Sequence, residues 1–311
     1  MSERAGAAAS AHPPPQAAAR RAGEAAAWRR GKTSREAPHE RAHAIQPGVV
    51  LAGLAVAFAV TAALAPALLT SRDPLAIDLT ATLRPPSLEH IFGTDQSGRD
   101  VYTRVVYGAR QSLFIGVGAT AIGLSLAALL GIAAGLGGRL VDGAITRLVE
   151  VLFAFPALLL ALLFVTVFGA GAATQMVAVA IGTAPGYARM IRGQVLAVRG
   201  SGYVEASHAL GHPYGRVLRR HILPNAARPL VVLATLGVGQ SIVWASGLAF
   251  LGLGVAPPSP EWGALLDAGR SYVTKAWWLE VAPGLVIVAL ALSVTVLGRY
   301  LQQRLEGGSG R

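Results

Sequence analysis

Residues Leu113–Leu136 read LFIGVGATAIGLSLAALLGIAAGL, a run without a single charge. A helix rises about 1.5 Å per residue, so roughly 20 apolar residues cross the hydrocarbon layer of a bilayer. Working outward, five further stretches are predominantly apolar, with Glu150 and Glu280 near the ends of two of them: Val49–Leu69, Leu148–Phe168, Ala172–Ala188, Pro229–Val255 and Leu279–Gly298. Of the six, Ala172–Ala188 is short and interrupted by Pro185 and Gly186, though neighbouring helices can satisfy backbone groups that a proline frees. The expected fold class is an all-α integral membrane protein with six transmembrane helices.

Composition agrees. Of 311 residues, 53% are hydrophobic and 14% charged, against about 25% charged in a soluble domain. That apolar excess needs lipid or partner subunits to cover it, which argues against a water-soluble enzyme. With no cysteine, disulfide scaffolds, zinc-thiolate sites, iron–sulfur clusters and thiol nucleophiles are excluded. Residues 1–46 are rich in Ala, Pro, Arg and Glu, with Pro13, Pro14 and Pro15 in a row. Such a segment cannot bury enough surface to offset its ordering entropy and reads as a disordered tail. A targeting peptide fits less well, because acidic residues are present and a short apolar core with a cleavage site is lacking.

The chain carries a net charge of +11, and its placement matters more than its size. Lys and Arg concentrate in short cytoplasmic loops. With six crossings, the two termini and alternate loops hold 20 of them against seven on the other side. Both termini are therefore expected in the cytoplasm of a multi-pass protein of the cell membrane, and nucleic-acid binding is not needed to explain the basic balance. The expected divisions are the tail, a first helix with an extracytoplasmic segment (47–111), a five-helix core (112–300) and a C-terminal tail (301–311).

An ion-coupled carrier usually keeps ionisable groups near mid-bilayer, and the six cores have none. An ATP-driven machine needs a phosphate-cradling loop. The nearest match, Gly31–Lys32–Thr33, fails because position 26 is Ala26 and no strand precedes it. No cofactor or metal is expected, and any ATPase must be another polypeptide. Small residues such as Gly131 and Gly135, or Gly237, Gly239, Gly247, Gly252 and Gly254, could let helices approach closely, or could reflect Ala/Gly bias alone.

The most informative polar segment is 189–228, with seven arginines and Glu205 as its sole acid. Helical spacing puts Tyr203, Ala206 and Leu210 on one stripe and Glu205 and His208 on another. Gly211 reads as a stop, and Pro224 as the end of a second short helical stretch, Tyr214–Leu223. A short amphipathic helix in basic surroundings suits docking on another protein; a solvated loop touching lipid headgroups fits the same pattern.

Glu205–Ala206–Ser207, then Gly211, then Ile222–Leu223–Pro224 resembles the EAA loop of permease subunits of ABC importers. His90–Val101, continuing through Arg104, Tyr107, Gly108, Ala109, Arg110, Ser112 and Leu113, and Phe250–Val255 with Pro257, Pro258, Pro260, Glu261, Trp262 and Gly263, are similar to segments of the dipeptide/oligopeptide subfamily, in the same order. Ser207 stands where a second alanine is usual, and Gly298–Arg304 lacks the expected acidic ending. The resemblance implies a type I ABC importer permease fold with a cytoplasmic EAA coupling helix, in which Tyr203, Glu205, Ala206, Gly211, Leu223 and Pro224 couple to the ATPase. It implies as partners a second homologous permease subunit, two ABC ATPase subunits, an extracytoplasmic solute-binding protein and the bilayer. Peptides are the implied cargo; nickel chelates, glutathione or oligosaccharides are handled by near relatives. The chain itself would break no bonds.

Other marked residues have plainer readings. Gly98–Ser112 can form a helix with Tyr102, Val105, Val106 and Ala109 on one face, expected in the interface plane before the second span. His90, Asp95 and Asp100 could do acid–base work, yet lack a nucleophile, so turns at Gly93 and Gly98 and capping by Thr94, Asp95 or Ser97 are expected instead. His208 and His212 are four apart, a chelating spacing that Gly211 weakens. A polar passage would be lined by Gln240, Ser241, Trp244 and Ser246, with Thr183, unless these bond between helices. Trp262, Trp277 and Trp278 fit an aromatic belt at the outer boundary.

Overall fold

The computed structural model describes residues 47–307. The elements in chain order are α1 (Pro47–Leu64), α2 (Val101–Leu136), α3 (Arg139–Ala154), α4 (Ala157–Phe168), α5 (Ala172–Arg199), α6 (Gly202–Ala209), α7 (Tyr214–Val217), α8 (Leu223–Leu248), α9 (Trp262–Arg270) and α10 (Trp278–Gly307), with π turns at Leu218–Ile222 and Ala249–Leu253. Among the described residues the one β-type pairing is an isolated bridge between Thr94 and Asp100. The disordered-tail reading of residues 1–46 lies outside the described residues.

Among the described residues, four helical segments are long and apolar enough to cross a bilayer: Pro47–Leu64, Val101–Leu136, Tyr214–Leu253 and Trp278–Arg304. A fifth crossing results if the bent pair Arg139–Ala154 and Leu158–Phe168 is counted as one. Helix α5 is long enough at 28 residues but less apolar, since its C-terminal half carries Arg189, Arg192 and Arg199. Its buried Ala180, Ala188, Ile191 and Val195 pack against α2. A Cβ on Gly131 would come within 2.8 Å of Ile191 Cβ, and one on Gly135 within 2.7 Å of Val195 Cβ. These two glycines thus serve close approach, as does Gly239 against Ala291, whereas Gly247 has nothing within 4 Å of an added Cβ. Close backbone approach matters in lipid because burial there is no longer driven by water.

Four sequence expectations change. The third stretch is two helices at 90°, broken at Phe155–Pro156. Pro156 lacks an N–H and disfavours helical geometry at the residue before it; Phe155 is extended at φ −88°, ψ 131°. Nor does an interfacial helix precede the second span. Nothing between Gly98 and Leu113 breaks the turn, so α2 runs 36 residues, about 54 Å at the α-helical rise, and its first turns extend the span itself. The cap on α2 is Asp100, whose carboxylate accepts from the Thr103 N–H at 2.8 Å and the Thr103 hydroxyl at 2.7 Å. Thr94, Asp95 and Ser97 do not cap it. Finally, Pro224 does not end a helix. It lies inside one continuous segment formed by α7, the π turn and α8, and the π turn Leu218–Ile222 just before it is where the regular i→i−4 ladder, which a proline cannot continue, is interrupted.

The segment 70–100 packs onto the start of α2 through buried polar contacts. Asp95 accepts from Arg99 at 2.8 Å, from Arg104 at 2.6 Å and from the Ser97 and Arg99 N–H groups. Arg104 is 3% exposed and also donates to the Pro258 carbonyl at 3.1 Å. His90 Nδ1 lies 2.9 Å from both Arg72 Nη1 and Asp100 Oδ1. The three residues that could have suggested acid–base chemistry are thus spent on this scaffold. Glu261, 1% exposed, caps α9 through the N–H groups of Gly263 and Ala264 and accepts from Ser112. Burial pushes its carboxyl above the ordinary range, against the lowering effect of those three bonds.

Two of the tryptophans expected in a lipid belt are buried here. Trp262 donates to the Val105 carbonyl at 2.8 Å and Trp278 to the Thr94 carbonyl at 3.1 Å, joining α9 and α10 to the α2 end, while Trp277 is 56% exposed. An apolar ring with one donor suits a buried site when the donor finds a carbonyl.

Gly98 has φ +73°, and any Cβ there would strike the Asp78 carbonyl; on Gly108 it would strike the Pro260 carbonyl. Both lie where segments meet α2. Gly108→Ala should destabilise by about 1–3 kcal/mol through overpacking alone, and Gly98→Ala by more because backbone strain adds to the clash. The check is the thermal midpoint and membrane yield of the purified chain, with Gly247→Ala, at an uncrowded position, as the unaffected comparison.

Candidate docking helix and central cavity

Helix α6 follows α5 after only Gly200 and Ser201. It has eight residues and stops where Gly211 takes φ +76°. An added Cβ on Gly211 meets nothing within 4 Å, so backbone conformation alone asks for glycine there. One side chain anchors the helix: Val204 is 1% exposed, packed in a cluster with Val217 and Ile222; the buried Ser207 hydroxyl donates to the Tyr203 carbonyl within the helix.

The stripe of Tyr203, Ala206 and Leu210 points the other way and is exposed, Leu210 to 76%. Glu205 is exposed beside it and makes no ion pair among the described residues. Tyr203 leans on His221, with ring centroids 6.2 Å apart, and His208 stacks on Tyr214 at 6.3 Å. Of the residues expected to couple, Tyr203, Glu205 and Ala206 lie on α6 and Gly211 just past it, while Leu223 is half-buried and Pro224 exposed at the start of α8. An apolar stripe exposed outside the spans, with a carboxylate beside it, has the character of a protein contact. His208 and His212 join no group of three potential metal ligands among the described residues; His212 lies 3.5 Å from Arg216.

Among the described residues, the three arginines of α5 are each engaged within the chain. Arg192 forks onto Asp142, Arg199 donates to the Gly135 carbonyl, and Arg189 lies over the Phe153 ring. Composition read them as positive loop charges, and the distance of 50 residues between Asp142 and Arg192 hid the pair.

A cavity of about 270 Å³ lies between α3, α4, α5 and α8. Gln240, Trp244 and Thr183 line it, together with Phe153, Tyr187 and Met190. The Tyr187 hydroxyl donates to Gln240 Oε1 at 3.0 Å. No charged side chain is among its lining residues. Ser241 and Ser246 lie elsewhere: Ser241 is buried and accepts from the Thr120 hydroxyl at 2.9 Å, and Ser246 is buried 4% exposed where Gly263 crosses α8. Gln240 and Ser241 differ because one residue of helix turns a side chain by about 100°. Tyr187 and Phe153 were not read from the sequence, although Tyr187 follows Thr183 by four residues and so shares its face.

Residues 127–307 match the family described as binding-protein-dependent transport system inner membrane component. The chain is 39% identical to the dipeptide transport system permease protein of Alkalihalophilus pseudofirmus, covering 77% of this chain and 79% of the relative. It is 39% identical to a probable D,D-dipeptide transport system permease protein of Escherichia coli, over 78% of this chain and 81% of the relative. With a glutathione transport system permease protein of Shigella dysenteriae it shares 43% identity, over 71% and 73%. A solved amino acid ABC transporter with histidines superposes with a TM-score of 0.55 at 17% identity, covering 65% of this chain and 94% of that one, which speaks to the fold alone. The chain belongs to the family of binding-protein-dependent transport system inner membrane components.

Proposed function

We propose that this chain is one of two membrane subunits of an ATP-driven importer for di- or oligopeptides. In this reading the bundle makes six crossings, α5 counting as an interior one and the bent α3–α4 pair as another, with both termini and α6 at the cytoplasmic face. The excess of Lys and Arg on that side supports this orientation. The exposed stripe of Tyr203, Ala206 and Leu210 with Glu205 carries the proposal: it docks on an ATPase subunit, and nucleotide binding there draws α6 and its counterpart together. ATP hydrolysis thus happens on another polypeptide, and an extracytoplasmic solute-binding protein delivers the cargo to the opposite end. Such a cycle is a two-state rocking biased by a ligand bound elsewhere.

The cavity lined by Gln240, Tyr187, Thr183, Trp244 and Phe153 is the passage, closed on its exposed side by the homologous subunit. Amide, hydroxyl and aromatic groups without fixed charge suit peptides of varied side chains, since they offer hydrogen bonds without selecting a charge. The relatives' names favour dipeptides; the 43% identity to a glutathione system favours glutathione, itself a small peptide, as the second reading. Ligand binding by the cognate solute-binding protein decides between them.

The test is uptake by the complete complex in proteoliposomes. The chain alone should give none, and flux without ATP or partners would instead indicate a self-contained carrier. Glu205→Ala should leave the chain folded while lowering uptake about tenfold, the scale of one interfacial charged contact. Gly211→Ala costs only about 1–2 kcal/mol of left-handed strain, so it should fold yet misdirect α6 and lower uptake several-fold. Unchanged uptake in both would refute the docking role. In the passage, Gln240→Leu should slow peptide uptake with ATP hydrolysis retained, measured as radiolabelled dipeptide accumulated per ATP.

A further inference from the structure

The bidentate pair between Asp142 and Arg192 belongs to neither the docking stripe nor the cavity lining. Arg192 Nε reaches Oδ1 at 2.5 Å and Nη2 reaches Oδ2 at 2.7 Å. A fork of this kind sets orientation as well as distance. Asp142 stands in the first turn of α3, a helix with little other grip on the bundle. Val149 is its one fully buried residue among those described, and in α4 it is Ala161. Arg192 stands on the opposite kind of element. Helix α5 is packed on α2 through Ala188, Ile191 and Val195 and runs unbroken from the cavity wall at Thr183 and Tyr187 to Arg199, two residues short of α6.

The bridge therefore ties a weakly packed pair of helices to one packed on α2, whose C-terminal end leads through Gly200 and Ser201 into the docking helix. Its neighbours act in the same sense: Arg189 lies 4.6 Å from the Phe153 ring centroid, and Arg199 holds the Gly135 carbonyl at 3.1 Å where α2 gives way to α3. At the far end of α3 is the break at Phe155–Pro156, and Phe153 and Ala161 on either side of it line the cavity. Both partners of the bridge are about 30% exposed, so it adds little to global stability. A polar fork of low stability value, on the path between docking helix and cavity wall, serves better to transmit movement than to hold the fold.

We propose that Asp142 and Arg192 are positioning residues of the transport cycle: their bridge makes the bent α3–α4 pair follow α5, so that displacement of α6 reaches the cavity wall. This rests on the transport reading above and adds to it the route by which work arrives. The experiment uses the complete importer in proteoliposomes, reading peptide uptake and ATP hydrolysis together. Asp142→Asn and Arg192→Gln should assemble and hydrolyse ATP within about twofold of the wild type, as expected for a partly solvated pair. Uptake per ATP should fall about tenfold, within the usual range of coupling between sites. Arg192→Lys, which keeps the charge but not the fork, should fall between. The exchange Asp142→Arg with Arg192→Asp should recover more uptake per ATP than either single variant. A wild-type ratio in the single variants, proportional loss of uptake and hydrolysis, or an exchange no better than its parents would overturn the inference. A wild-type complex that takes up no peptide would instead overturn the transport reading itself.

Discussion

Backbone N–H and C=O groups inside a bilayer find no water, so each must be satisfied within the protein. That constraint makes the chain helical, and it also removes the force that normally brings helices together, since lipid is as apolar as leucine. What remains is close fit, with hydrogen bonds between helices such as Thr120 to Ser241. The seam between α2 and α5 shows it: Gly131 and Gly135 leave room that Ile191 and Val195 fill. This seam holds α5 against α2, and α5 carries Thr183 and Tyr187 at the cavity and Arg189, Arg192 and Arg199 toward its C-terminal end.

The two ends of the bundle are held differently. Around the start of α2, Asp95, Arg99, Arg104, Asp100, Glu261 and the two buried tryptophans join segments far apart in sequence through buried bonds. Such a network is costly to break once any member is left unpaired. Around α6, contacts are fewer and more exposed: one buried valine, a serine bonded within its own helix, and the arginine contacts of α5. A firmly bonded end and a more loosely held one are what the proposed rocking requires.

Much of this was legible in the sequence, and the failures have physical causes. Span length is a direct consequence of bilayer thickness, so α1, α2, α8 and α10 were readable as apolar runs. The break in the third stretch was written in Phe155–Pro156 but concealed by leucines on both sides. The change from amphipathic to apolar residues near Ser112 is a change of environment along one continuous helix, which composition cannot distinguish from a boundary. For α6, Gly211 marked the stop and the 3.6 period gave the stripes, yet both faces carry small or apolar residues. Which face is buried depends on Val217 and Ile222, brought alongside by the return of the chain. The same holds for Gln240 and Ser241: only the packing of α8 tells which of two adjacent polar side chains meets the cavity.

The central claim is that α6 delivers work from an ATPase made elsewhere, and the absence of native cysteine makes it directly testable. In cells holding the complete complex, a single Ala206→Cys should crosslink to a cysteine placed on the ATPase surface, more strongly when nucleotide is bound. It should also resist an impermeant maleimide added outside. Labelling from outside, or no crosslink to the ATPase under any nucleotide condition, would contradict the account.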